Sequence, residues 1–327
     1  QQIKETLYLY LLQKREETAI SLAVTAPNAK VIDPARASNS PVSPKRNIIL
    51  LGAILLGLLI PLGIIYLINL LDTKIKSQYD LEGKLSIPFL GDIPKSSSEN
   101  ELIHSDSRSS TAEALRIVRT NLEFLLTNVK QGQSKTIFVT STIPKEGKTF
   151  IAVNLASTIA FSGKKVLLIG LDIRNPKIDH YINLPEKGIT NYLLQNNQKI
   201  QDYIVKIDGY PDFSILPSGV IPPNPVDLLM NNNKVDNLFA ELKKEYDYII
   251  VDTAPVSLVT DTMLIAKNAD AFVYVMRAHF LEKGLLRYPE TLYQERKLPN
   301  MSVLLNDTDL NKGYGYGYGY GYGVEVE

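Results

Sequence analysis

The sequence predicts an α/β protein: a mostly parallel sheet with helices on both faces, preceded by one membrane-spanning helix and a short helical stub. Three observations carry this. Short apolar runs alternate with helical stretches between residues 111 and 308. The first of those runs leads straight into Gly147-Lys148-Thr149 and a helix. Residues 47–71 contain no charged residue.

Residues 3–24 read as the end of a charged, amphipathic helix. The stretch VIDPARASNSPVSPKR follows, and Pro34, Pro41 and Pro44 keep it from being helical throughout, so it reads as an extended lead-in. Residues 47–71, with Leu and Ile on every face, would rise ~37 Å as a helix, enough for a bilayer core. Pro61 inside this span is tolerable in a membrane helix. Lys45 and Arg46 precede it and Lys74 and Lys76 follow it, so charge does not set its orientation.

Residues 72–110 hold two Ser-rich patches and read as a juxtamembrane linker. Ser110 with Glu113 fits a capping box opening a helix over 111–129. Apolar runs at 136–140, 166–169, 213–216, 248–251, 271–276 and 302–305 read as buried strands. Helices at 149–162, 234–245, 261–268 and 282–296 separate most of them. The expected division is a stub over 1–46, a span over 47–71, a linker over 72–110, a globular domain over 111–308 and a disordered tail over 309–327.

Composition narrows the chemistry. The 327 residues allow about two domains, and 45% hydrophobic content excludes a disordered chain. The absence of Cys excludes a disulfide scaffold, a thiolate metal site and a Cys nucleophile. Three His leave little room for a zinc centre. Zero net charge argues against nucleic acid as a partner. That balance is composite: 1–71 is mildly basic and 309–327 slightly acidic. The chain opens on Gln1, so it is expected to begin inside a longer protein, and no signal peptide can be read.

A strand, a tight turn, Gly-Lys-Thr and a helix make a triphosphate site. Backbone N–H groups and the helix N-terminus hold phosphates, the Lys reaches the β/γ oxygens and the Thr hydroxyl serves Mg²⁺. Here the phosphate-binding candidates are Lys145, Glu146, Gly147, Lys148, Thr149 and Phe150, and ATP with Mg²⁺ is the expected cofactor pair. Thr142 stands where the general GxxxxGK[ST] pattern has Gly, so the match is incomplete. Mg²⁺ needs carboxylates as well, and two acids end buried strands: Asp252 after YDYIIV and Asp172 after VLLIGL, with Arg174 two residues on. The metal candidates are thus Thr149, Asp172 and Asp252, and the catalytic candidates Lys148, Asp172 and Arg174.

Residues 313–323 read GYGYGYGYGYG. Alternating Gly predicts a segment that does not pack. Tyr314, Tyr316, Tyr318, Tyr320 and Tyr322 would share one side of an extended chain, ~6.6 Å apart, as successive phosphate acceptors. Glu113, Arg116 and Arg119 lie broadly on one helix face, consistent with a solvated face holding an intrahelical ion pair.

Together these residues resemble the bacterial tyrosine kinases fused to polysaccharide copolymerases, the Wzc-like capsule and exopolysaccharide proteins. Gly147-Lys148-Thr149 is similar to that family's Walker A, VLLIGLDIRNP at 166–176 to its Walker A′, and YDYIIVDTAP at 246–255 to its Walker B. Glu113, Arg116 and Arg119 match its ExxRxxR subunit-contact motif, and PSGVIPPNPVDLL and SVLLND also have counterparts. The resemblance implies a P-loop NTPase-like fold and a kinase that transfers the ATP γ-phosphoryl to its own tail tyrosines. It implies a ring-like homo-oligomer, with an octamer suggested, in the bacterial inner membrane. The stub, as the end of a copolymerase domain, would be periplasmic, and the kinase and tail cytoplasmic. Partners would be the polysaccharide export machinery and a cognate tyrosine phosphatase, and the role regulation of chain length and export.

There are two departures. The family usually has Asp-x-Asp in Walker A′, and Gly170 stands at the first place, which leaves the general base open. Lys145 stands where relatives often have Gly. A P-loop ATPase switch of the MinD and ParA kind, controlling assembly without phosphorylating tyrosine, is the alternative.

Overall fold

The computed structural model describes residues 2–24, 32–34, 36–39, 41–96, 98, 101–130, 132–195, 198–210, 212–230 and 232–309. The chain divides into two units, residues 1–70 and 71–327.

The first unit holds α1 (Gln2–Val24) and α2 (Arg46–Leu71). The apolar residues of α1 are spread around the helix with no dominant face, so it is helical as expected but not amphipathic. Helix α2 has 26 residues, Pro61 in its interior and no buried residue. At 1.5 Å per residue it is about 39 Å long, enough to cross a bilayer core.

The second unit is built on eight strands: β1 (Phe89–Pro94), β2 (Lys135–Ser141), β3 (Val166–Leu171), β4 (Val205–Lys206), β5 (Phe213–Leu216), β6 (Tyr248–Thr253), β7 (Ala271–Arg277) and β8 (Met301–Thr308). Their order is β1-β8-β7-β2-β6-β3-β5-β4. Every pairing is parallel except the short β4 edge, which runs antiparallel to β5. Strands buried on both faces need continuous apolar runs, and those runs are what the sequence displayed.

Alternate residues of each strand feed two cores. On one face Ile137, Val139, Leu168, Ile250 and Val273 meet α3 (Ser110–Leu125) and α4 (Lys148–Ala160). On the other, Phe138, Leu167, Val251, Phe272 and Tyr274 meet α5 (Ile189–Leu194), α6 (Pro225–Met230), α7 (Asn232–Leu242), α8 (Asp261–Ile265) and α9 (Arg287–Gln294). All thirteen residues of α4 are buried, so the helix that follows the Gly-Lys-Thr turn is rigidly set.

The linker expected over 72–110 needs correction. Ile75, Leu81, Ile87, Leu90, Ile93 and Ile103 are buried. The Ile75 N–H donates to the Leu281 carbonyl at 2.9 Å, and β1 adds a parallel strand beside β8. Asn154 of α4 holds this region down: its amide donates to the Glu101 carbonyl at 2.9 Å, and its oxygen accepts the Ile103 N–H at 2.8 Å. Gly91, Asp92 and Pro94 break the apolar pattern of β1, and its partner lies some two hundred residues away, so local periodicity hid it. The cap of α3 also moves by one residue, to Ser109, whose side chain accepts the Ala112 N–H.

Candidate active site

The carboxyl ends of β2, β3 and β6 bring the expected residues together, at the sheet edge where open α/β proteins bind ligands. Gly147 caps α4 with φ +92°, and a Cβ there would run into the Asn306 amide, so glycine is required twice over. Lys145 takes φ +71°, which explains why glycine would suit that position. Its carbonyl accepts from the Arg277 guanidinium at 3.1 Å.

Thr142, in place of the pattern's first glycine, does not have a left-handed backbone. It is fully buried and pinned: its hydroxyl accepts from the Tyr274 phenol at 3.1 Å, and its carbonyl accepts from the Ser257 hydroxyl. The loop thus reaches its shape through side-chain ties where the general pattern uses glycine.

Below the loop sits a charged network. Lys148 Nζ lies 2.6 Å from Asp172 Oδ2 and 3.7 Å from Asp252 Oδ1. The Thr149 hydroxyl donates to Asp252 Oδ2 at 2.8 Å. Asp172 Oδ1 accepts the Asn175 N–H at 3.2 Å. Burial alone would lower the Lys148 pKa, but the Asp252 and Asp172 carboxylates outweigh it and keep the ammonium charged. Burial pushes Asp252 upward against the pull of Lys148. Asp252 Oδ1 is buried with no hydrogen-bond donor. A hydroxyl, a carboxylate with an orphaned oxygen and a second carboxylate beside a lysine form a donor set that fits Mg²⁺ shared with phosphates. Among the described residues no cluster of three or more acidic or His ligands exists to hold a metal without phosphates.

The network opens into a cleft of about 560 Å³, whose walls include Lys145, Phe150, Arg174, Tyr181 and Asn306. Arg174 lines it, but its guanidinium is clamped in a bidentate pair with Asp261, at 2.7 and 2.9 Å. Glu146 is in the loop as expected, yet its side chain is buried beneath the loop and away from the cleft wall. Glu113 and Arg116 form the expected ion pair, while Arg119 turns toward α4 and the Thr158 carbonyl, 3.4 Å away. Tyr314, Tyr316, Tyr318, Tyr320 and Tyr322 lie outside the described residues.

Three partners escaped the sequence reading. Asp261 starts a short helix 87 residues from Arg174 and carries no motif. Arg277 and Asp307, paired at 2.8 Å, close the far side of the loop from β7 and β8. Tyr274 did leave a trace, as a polar tip in an apolar strand that has to find a partner.

Residues 134–303 match the family model of the AAA domain, and residues 1–69 match that of the G-rich domain GNVR. The chain is 29% identical over 320 residues to the tyrosine-protein kinase ptk of Acinetobacter johnsonii, covering 94% of this chain and 43% of that protein. It is 30% identical over 302 residues to the tyrosine-protein kinase wzc of Salmonella typhimurium, covering 84% and 40%. It thus spans about two fifths of the length of these curated relatives. The crystal structure of the chimerical protein CapA2B2 superposes with a TM-score of 0.63 at 31% identity, covering 71% of this chain and all of that one.

Proposed function

The chain belongs to the Wzc-like bacterial tyrosine kinases, and from that premise we propose that it is a membrane-anchored tyrosine autokinase. ATP binds at the 142–149 loop, and its γ-phosphoryl passes to tyrosines of the Gly-Tyr tail, mostly between subunits. One observation carries the reading: Lys148, Thr149, Asp172 and Asp252 share a single buried network at the mouth of a cleft wide enough for a nucleotide. Lys148 leaves Asp172 for the β/γ oxygens when nucleotide enters. The Thr149 hydroxyl and the Asp252 carboxylate would hold Mg²⁺, which would supply positive charge against the phosphates. Asp172, freed of Lys148, takes the tyrosine proton, since Gly170 offers no carboxylate. Arg174 positions the 172–175 turn through Asp261.

Helix α2 anchors the protein in the bacterial inner membrane, with the stub periplasmic and the kinase cytoplasmic. The Glu113 and Arg116 face contributes to contacts in a ring of subunits. The role is regulation of capsule or exopolysaccharide chain length and export, with a phosphatase resetting the tail.

The test is direct. The purified protein is incubated with Mg²⁺ and γ-labelled ATP, and phosphotyrosine is mapped. Label on Tyr314–Tyr322 that disappears in Lys148→Met is the expected result. Release of free phosphate with no label on protein overturns the kinase in favour of an ATPase switch.

A further inference from the structure

Glu146 lies immediately before Gly147, and none of its surface reaches solvent. One carboxylate oxygen, Oε2, accepts the Ile143 N–H at 2.7 Å across the loop. The other, Oε1, is buried with no hydrogen-bond partner. Its main-chain carbonyl is fixed by the Asn306 amide at 3.0 Å. The side chain is thus locked inside the loop whose N–H groups have to receive phosphate oxygens.

Among the described residues no cation is paired with this acid. From β7, Tyr274 is a neutral phenol near it, and the Arg277 guanidinium is engaged by Asp307 and the Lys145 carbonyl. Within the loop, Lys145 is exposed on the cleft wall and Lys148 is paired with Asp172 and Asp252. From β8, Asn306 is neutral and Asp307 is held by Arg277. Burial pushes the carboxyl up to about 7, against the pull of the Ile143 N–H and the neighbouring loop groups.

A triphosphate in the loop brings several negative charges close to this carboxyl, in a region shielded from water, where like charges raise a pKa further. We infer that Glu146 is a proton-carrying residue of the phosphate loop: it is neutral whenever nucleotide is bound, and binding to the ionised form draws one proton from solvent onto its carboxylate. This rests on the nucleotide-binding reading given above. The chemistry is specific to polyphosphate ligands, because their charge is what forces the protonation.

The test uses the full chain in detergent micelles, titrated calorimetrically with a non-hydrolysable ATP analogue and Mg²⁺ in buffers of different ionisation enthalpy. Wild type is expected to take up almost no proton at pH 6 and close to one per nucleotide at pH 8. Its affinity should fall up to about tenfold per pH unit above neutrality. Glu146→Gln, which keeps an acceptor for Ile143 but cannot ionise, should take up none at either pH and show a flat profile. Uptake at pH 8 that is zero in wild type, or equal in Glu146→Gln, overturns the inference while leaving nucleotide binding intact. If the variant does not fold, the wild-type uptake at pH 8 decides alone. Absence of binding at pH 6, where the acid is already neutral, overturns the nucleotide reading and the inference with it.

Discussion

Glu146 also marks where pH acts on the fold. Its carboxyl rises from 4.5 to about 7 on folding, chiefly through burial. A raised folded value gives stability that is complete below the unfolded pKa and lost as pH climbs through the folded one. The shift corresponds to roughly 3 kcal/mol lost between about pH 4.5 and 7. Denaturant unfolding at pH 5 and 8 should therefore show a decline in wild type that is largely absent from Glu146→Gln. Gly170 yields a different expectation. A Cβ there would sit 2.5 Å from the Ser218 hydroxyl and 3.1 Å from both the Ser218 nitrogen and Ile178 Cδ1. Restoring the family's aspartate by Gly170→Asp should thus destabilise by about 1–3 kcal/mol and lower autophosphorylation. A rise in phosphotyrosine would show instead that the natural site lacks only a base.

At the scale of elements, β2 and α4 support the site because they are buried on every side. Phe138 of β2 stacks with Phe239 of α7 and Phe272 of β7, ring centroids 5.8 and 5.3 Å apart. Truncation by Phe138→Ala should remove about 3–5 kcal/mol, read from the shift in denaturation midpoint at unchanged slope. Asn154 acts differently, by tying 101–103 to α4 through two backbone groups. Asn154→Ala leaves those groups unsatisfied, at about 1–3 kcal/mol, and hydrogen exchange should quicken at Ile103 before it does in β2. Unchanged protection at Ile103 would show that β1 and the chain after it are held by apolar packing alone.

For the whole molecule, the proposed phosphorylation of the tail would couple chemistry to assembly. Each phosphate adds about −1.5 to −2 charge at pH 7, so five on one tail add roughly −8 to −10. Tails around a ring would then repel one another, and replacement of all five tyrosines by Glu should reduce the oligomer seen by sedimentation. An oligomer as large as that of wild type would overturn the proposed effect of tail charge on assembly.

By itself the sequence determined the parallel α/β class, the membrane-length helix and the residues at the strand ends, because each is written in local patterning. A parallel strand buried on both faces has to be apolar throughout, and a phosphate loop has to place Gly-Lys-Thr between strand and helix. Asp172 and Asp252 were legible for the same reason, as the first acids after apolar runs. Only the tertiary structure decided that 72–110 belongs to the sheet unit, because β1 earns its place by pairing with β8 across the length of the chain. The same holds for Arg174, a catalytic candidate by sequence whose guanidinium Asp261 holds in a bidentate pair, and for Glu146, whose neighbours in sequence are polar but whose neighbours in space exclude water. Burial and long-range pairing are properties of packed elements, and no spacing along one strand or helix encodes them.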